Sequence, residues 1–175
     1  MEFDDVIRLR RSTRAYTDEQ ITEEELRQIL DAAQLAPIAG ADYSMTHLTV
    51  VQDPQVMQAI REACMLHRRS DGAPIDPTRG VPTLIMVSAT GPSDDLIEYC
   101  NVACAIENMT LAATNLGLGS CYLWGYLKKL RQHPEVIEKL QIPEGYTILS
   151  SLGVGYAADP LVAREPEPKL GVNRV

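Results

Sequence analysis

The chain is poor in most of the features that announce a function. No apolar run approaches the ~20 residues that a membrane-spanning helix needs, which argues against a transmembrane segment. The first eight residues are acidic and amphipathic, unlike the cationic-then-apolar layout of a secretory signal, so the sequence reads as cytoplasmic. Basic residues are outnumbered: the net charge of -8 argues against a general nucleic-acid surface, because phosphate backbones need clustered Lys and Arg. The histidines at 47, 67 and 133 show no metal-ligand spacing with cysteines or with one another, so no zinc site is expected. Cys64, Cys100, Cys104 and Cys121 are expected to be small buried hydrophobes rather than disulfide partners. There is no G-x-S-x-G, no phosphate-cradling Gly-Lys-Ser/Thr and no evident Cys–His pair.

What remains describes an ordinary folded domain. A chain of 175 residues with 45% hydrophobic content can build a core without disulfide or metal staples. Helical spacing of Phe3, Val6, Ile7 and Leu9 predicts a short helix over residues 2–10. Thr22 and Glu25 form a capping-box start for a helix that ends before Pro37. A loop is expected over 36–43, a strand over 47–51 and a helix from Pro54 to about Cys64. Residues 66–81 are polar, with Gly and Pro, and are expected to form a mobile loop. Thr83 to Ser88 reads as a central strand covered on both faces. The longest helix is expected from Asp94 to Leu116, closed by Gly117 and apolar over most of its circumference, hence buried all round, in a core or across a subunit interface. Strands over 120–124 and 146–156 flank a helix over 134–140, and the Pro-rich tail after Asp159 should lie across a partner or a ligand. With no repeat and no linker, residues 1–175 form a single α/β domain.

Three places could carry chemistry. Arg10-Arg11-Ser12-Thr13-Arg14 packs three guanidinium groups and two hydroxyls into five residues, a composition that suits a dianionic phosphate. The same run could serve as a solvated basic patch or complement the C-terminal end of a helix dipole. Leu116-Gly117-Leu118-Gly119-Ser120 turns a helix into a strand, and Leu123-Trp124-Gly125 then offers backbone amides beside a flat aromatic. Read blandly, that segment is a turn with Trp124 as a core anchor. It is not a dinucleotide fingerprint, because its glycines follow a helix rather than a strand. Arg164 stands alone in the tail and gains meaning only if the tail returns to the anion site. An anion grip without catalytic side chains of its own implies that a cofactor brings the reactivity.

In these motifs the sequence resembles the nitroreductase family of FMN-dependent oxidoreductases. Arg10 to Tyr16 matches the family's opening R-R-S-x-R-x-[FY]. The run Ala105 to Ser120 is similar to its central A-x-x-N-M-x-L-A-A-x-x-L-G-L-G-S helix, and Gly153-Val154-Gly155-Tyr156 to its G-x-G-Y strand end. The resemblance implies an α/β (α+β) fold with a mostly antiparallel central sheet flanked by helices, assembled as a homodimer. It also implies bound FMN, with Arg10, Arg11, Ser12, Arg14 and Arg164 at the phosphate and Leu123, Trp124 and Gly125 at the ring. The expected activity is ping-pong electron transfer from NADH or NADPH through FMN to a small organic acceptor of the nitroaromatic or quinone type. No side chain is expected to act as a nucleophile and no metal to take part.

One segment departs from the family pattern. After Ala36-Pro37 the family's usual Ser, Asn, Gln-Pro and Trp are replaced by Ile38-Ala39-Gly40-Ala41-Asp42-Tyr43-Ser44-Met45, a more apolar wall. The 66–81 segment also lacks the usual Asn and Lys contacts, for which Arg68, Arg69 or Arg79 could substitute. The departure leaves room for another expectation, a non-catalytic flavin store or redox sensor.

Overall fold

A computed structural model describes residues 1–91 and 93–175. Four strands form one sheet: β1 (Thr46–Val51), β4 (Thr83–Thr90), β5 (Gly119–Leu123) and β6 (Tyr146–Gly155). Their order is β1-β4-β6-β5, and every neighbouring pair is antiparallel. Thr83 to Ala89 of β4 are all buried, because β4 lies inside the sheet with helices on both faces. β1 and β5 are the edges, and the free side of β5 becomes important below.

Two apolar clusters grip the sheet. On one face α2 (Glu23–Gln34) and α4 (Ile97–Asn115) bring Ile29, Ile106 and Met109 against Val87, Leu149 and Leu152, with α1 (Phe3–Leu9) packed outside α4. On the other, α3 (Pro54–Cys64), α5 (Leu127–Leu130) and α6 (Pro134–Lys139) bury Met57, Ile60 and Leu130 against Leu84, Met86 and Ile148. Local chemistry sets the helix starts. The Thr22 hydroxyl accepts the Glu25 N–H while the Glu25 carboxylate accepts the Thr22 N–H, a complete capping box. Asp53 accepts from the N–H groups of Gln55 and Val56 ahead of Pro54, satisfying donors that would otherwise be orphaned.

Several expectations need correction. The long helix begins at Ile97, not Asp94: Leu96 takes a left-handed conformation (φ 59°), and the Glu98 carboxylate turns back to accept the Ser93 N–H and hydroxyl. In this single chain Cys100, Ala103 and Glu107 are exposed, so the chain's own core covers only part of its circumference. Cys100 is therefore no core residue, whereas Cys64 and Cys121 are, and all four cysteines are free thiols. The stretch 66–81, expected as a loop, carries secondary structure of its own. It holds a small hairpin, β2 (Leu66–His67) with β3 (Pro74–Ile75), and a turn tied by Asp76, whose carboxylate accepts from the N–H groups of Thr78 and Gly80. Arg61 completes that tie by pairing with Asp76 at 3.4 Å. No helix among the described residues is long and apolar enough to cross a membrane.

Candidate functional site

The arginine run is bolted across one end of the sheet. The Thr13 N–H donates to the Ser120 carbonyl at 2.8 Å, and Ser12 pairs in parallel with Ser120 at the outer edge of β5. Four residues further, the Thr17 N–H donates to the Tyr156 carbonyl (2.9 Å) and the Ala158 N–H to the Ala15 carbonyl (3.0 Å). Tyr16 tucks beneath and donates its hydroxyl to the Thr13 carbonyl at 2.9 Å, and burial pushes that phenol far above its ordinary pKa. Such close approach demands glycine. A Cβ on Gly119 would lie 2.8 Å from Thr13 Cγ2, and one on Gly155 would lie 2.7 Å from Pro82 Cδ.

The guanidinium groups are uncompensated. Among the described residues Arg10, Arg11, Arg14 and Arg164 form no ion pair, in a chain where acids outnumber bases 24 to 16. Arg11, Ser12 and Arg14 line a cleft of about 320 Å³ whose far wall is the tail from Ala157 to Leu161, with Asp159 its acidic member. The tail folds back along α1. The Arg164 N–H donates to the Arg8 carbonyl at 3.0 Å, its Nη2 donates to the Arg10 carbonyl, and Glu165 pairs with Arg8 at 2.6 Å. Arg164 thus joins the run while Arg8 is neutralised. Arg79 approaches from the Asp76 turn: burial pushes the Cys121 thiol up, and the charges of Arg14 and Arg79 pull against that push. Of the three arginines offered by the 66–81 segment, Arg68 is spent on Asp71 at 3.0 Å. Arg79 is the one of the three whose charge acts on Cys121 of β5.

The other end of β5 is open. In an antiparallel strand the N–H and C=O of one residue point to one side, and successive residues alternate. Ser120 points outward to Thr13, so Tyr122 also presents its backbone to the free edge. Leu123 points inward: its side chain is buried, and its carbonyl accepts the Ser151 hydroxyl at 2.7 Å. Trp124 is no core anchor, being 62% exposed beside a 46%-exposed Tyr122. Among the described residues no backbone acceptor takes the N–H of Trp124 or Gly125, and a Cβ on Gly125 would meet nothing within 4 Å. Leu123 therefore contributes support, while Trp124 and Gly125 supply free donors and open space.

The departing segment forms two short 3-10 turns, Ala39–Ala41 and Tyr43–Met45. Gly40 and Ala41 are both left-handed (φ 65° and 54°), and Asn101 of α4 pins them by accepting the Ala39 N–H at 3.0 Å. Left-handed backbone at a non-glycine residue is strained and collects at functional places. Leu35 (80% exposed) and Tyr43 flank this wall without cover in the single chain.

The donor set fits a flavin mononucleotide. Arg11 and Arg14 line a cleft at one end of β5, with Arg10 and Arg164 beside it, and free N–H donors with an aromatic lie at the other end, where a planar ring with acceptor atoms can rest. No group of three or more His, Cys, Asp or Glu able to hold a metal occurs among the described residues.

Known proteins agree with this geometry. The family model described as "Nitroreductase family" matches residues 7–156. A protein of Archaeoglobus fulgidus named for NADH dehydrogenase or NAD(P)H nitroreductase activity is 32% identical, over 97% of this chain and 94% of its own length. An FMN reductase [NAD(P)H] of Bacillus subtilis is 31% identical, over 93% of this chain and 69% of its own. The crystal structure of a nitroreductase with bound FMN from Bacteroides fragilis superposes with a TM-score of 0.82 at 30% identity, covering 100% of this chain and 98% of that one. The chain belongs to the nitroreductase family.

Proposed function

We propose that the chain is an FMN-dependent oxidoreductase that takes electrons from NADH or NADPH and delivers them to a small organic acceptor, donor and acceptor using one face in turn. The observation that carries this reading is the asymmetry of the β5 edge, with unpaired arginines at Ser120 and unclaimed N–H groups at Trp124 and Gly125. Those ends are about 13 Å apart at ~3.3 Å per residue, a span that suits a flavin lying from phosphate to ring. Relatives named FMN reductase and a neighbour holding FMN support the same choice. When bound, FMN supplies the redox chemistry, accepting an electron pair from a reduced nicotinamide and releasing it to the acceptor. The chain then has four tasks. Arg10, Arg11, Ser12, Arg14 and Arg164 hold the phosphate, Arg79 adds positive charge nearby, the Trp124 and Gly125 amides orient the ring, and the apolar 38–45 wall excludes water.

The working unit in this reading is a homodimer. The open face of α4 carries Cys100, Ala103, Cys104 and Leu111 with Glu107 its only charge, and α1 adds Phe3 (68% exposed) and Ile7 (44% exposed). A second copy would cover this surface and the exposed 35–45 wall together. Light scattering at micromolar concentration should give twice the 19.3 kDa chain mass.

The test of function is an absorbance spectrum before and after anaerobic addition of NADH or NADPH. Flavin bands that bleach with donor and return with a quinone support the reductase. Flavin that stays oxidised with both donors contradicts it and favours the store, the reading to which the apolar 38–45 wall lends weight.

A further inference from the structure

Basic side chains that find no acid are notable in a chain of 24 acids and 16 bases. Arg8, Arg27, Arg61, Arg68 and Lys169 each have a carboxylate partner. The cations without one fall mainly into two groups. The first is the set around Arg10 to Arg14, already given to the cofactor. The second is Arg69, Lys128, Lys129 and Arg131, for which the function proposed above has no use.

Lys128 and Arg131 are three positions apart on α5 and its C-cap and so are neighbours, and Arg69 stands on the hairpin between β2 and β3. Leu127 and Leu130 are buried at 2% and 1% exposure, so α5 is pressed onto the core and turns Lys128, Lys129 and Arg131 outward. Lys129 donates through Nζ to the Met65 carbonyl, tying α5 to the base of the hairpin that carries Arg68 and Arg69. Arg131 is steadied by its Nη2 bond to the Ile148 carbonyl at 3.2 Å. One acid, Asp71, stands at the hairpin tip, and it is taken by Arg68. The patch also has a definite position. Lys128 follows Trp124 by four residues, so the cations begin roughly 6–13 Å from the ring corner, between the helical and extended limits of chain reach.

A donor whose nicotinamide rests at that corner must run its remaining length over the surface. NADPH and NADH differ in one group, the phosphate on the adenosine 2′-oxygen, which is largely dianionic at neutral pH. We propose that Lys128, Arg131 and Arg69 bind this 2′-phosphate, making the protein selective for NADPH. The inference rests on the reductase reading, since it needs a nicotinamide donor at Trp124. Guanidinium and ammonium groups free of carboxylates suit a compact dianion, through charge-assisted hydrogen bonds that an unphosphorylated ribose cannot form. The phosphate-holding arginines lie at the opposite end of β5, so removing the second patch leaves the cofactor site intact.

The test compares kcat/KM for NADPH and NADH in the FMN-loaded wild type and in an Arg69→Ala, Lys128→Ala double variant. The wild type should favour NADPH by about tenfold or more, the effect of a charge-assisted bond or two. The double variant should lose at least about tenfold with NADPH and less than about twofold with NADH, with unchanged flavin absorbance, and added salt should erode the preference. Equal use of the two donors by the wild type, preference for NADH, or an equal loss with both in the variant would overturn the proposal. Calorimetric titration with adenosine 2′,5′-bisphosphate and with 5′-AMP reads the patch without the flavin. Tighter binding of the bisphosphate that vanishes in the variant supports the assignment, and indistinguishable binding refutes it. A protein that holds no flavin, or whose flavin neither donor bleaches, removes the reductase reading and the donor assignment with it, while this titration still shows separately whether the patch binds the phosphate.

Discussion

In the proposed reading the two ends of β5 would meet a ligand by opposite means. At Ser120 recognition is built from side chains: guanidinium groups without carboxylate partners, carried by a segment hydrogen-bonded to Ser120 and Tyr156 and seated on Gly119 and Gly155. At Trp124 it would be built from backbone, with outward N–H groups and a glycine that leaves space, while the Ser151 hydroxyl beneath donates to the Leu123 carbonyl. Charge suits a phosphate, which every ligand of this kind shares. Backbone donors at an open edge suit a flat ring and leave room for a second planar molecule to come and go. In that reading the first end would fix the ligand and the second would permit traffic.

Substitutions can separate the two ends. The largest effect is expected from Arg10→Ala with Arg14→Ala. Losing two charge-assisted grips of about 1.5–3 kcal/mol each should weaken FMN binding at least a hundredfold. Both side chains lack ion-pair partners in the fold, so the melting temperature should stay within a few degrees. Gly119→Val comes next. Its side chain collides with Thr13, so the arginine segment must lift, with about 1–3 kcal/mol of lost stability and a parallel loss of flavin, read by denaturant melts and FMN titration. Ser151→Ala touches the other end. It leaves the buried Tyr126 hydroxyl without its partner at 3.0 Å and removes the bond to Leu123, for about 1–2 kcal/mol of stability and a smaller change in flavin affinity. Trp124→Phe should be smallest in stability, within about 0.5 kcal/mol because the ring is exposed, and should appear instead in acceptor KM.

The sequence revealed the charged end better than the open one, for a physical reason. A phosphate grip is written in adjacent residues, and Arg10 to Arg14 can be read without knowing the fold. Helix starts are similarly local, and the Thr22–Glu25 box and Pro54 with Asp53 appear where the pattern placed them. What could not be read depends on distant partners. Thr13 resting on Gly119 and Gln20 reaching Thr83 and the Pro82 carbonyl each join positions tens of residues or more apart, whereas Arg164 was legible only through the family resemblance. The hairpin at 66–75 escaped because its strands are two residues each, too short to show alternation. Helix α5 escaped because four residues cannot show a helical period. Of the two readings open for Trp124, the core anchor fails on its exposure, because an edge strand with an open corner overrides the usual burial of large aromatics, and the place at an open corner remains.

Trp124 is the only tryptophan in the chain, so its emission reports on the ring corner alone. The most direct test titrates the flavin-free protein with FMN while recording that emission. Quenching that saturates at one FMN per chain, and that needs far more FMN in the Arg10→Ala, Arg14→Ala variant, is the predicted result. Saturable FMN binding that leaves Trp124 emission unchanged would put the ring elsewhere and contradict the arrangement along β5.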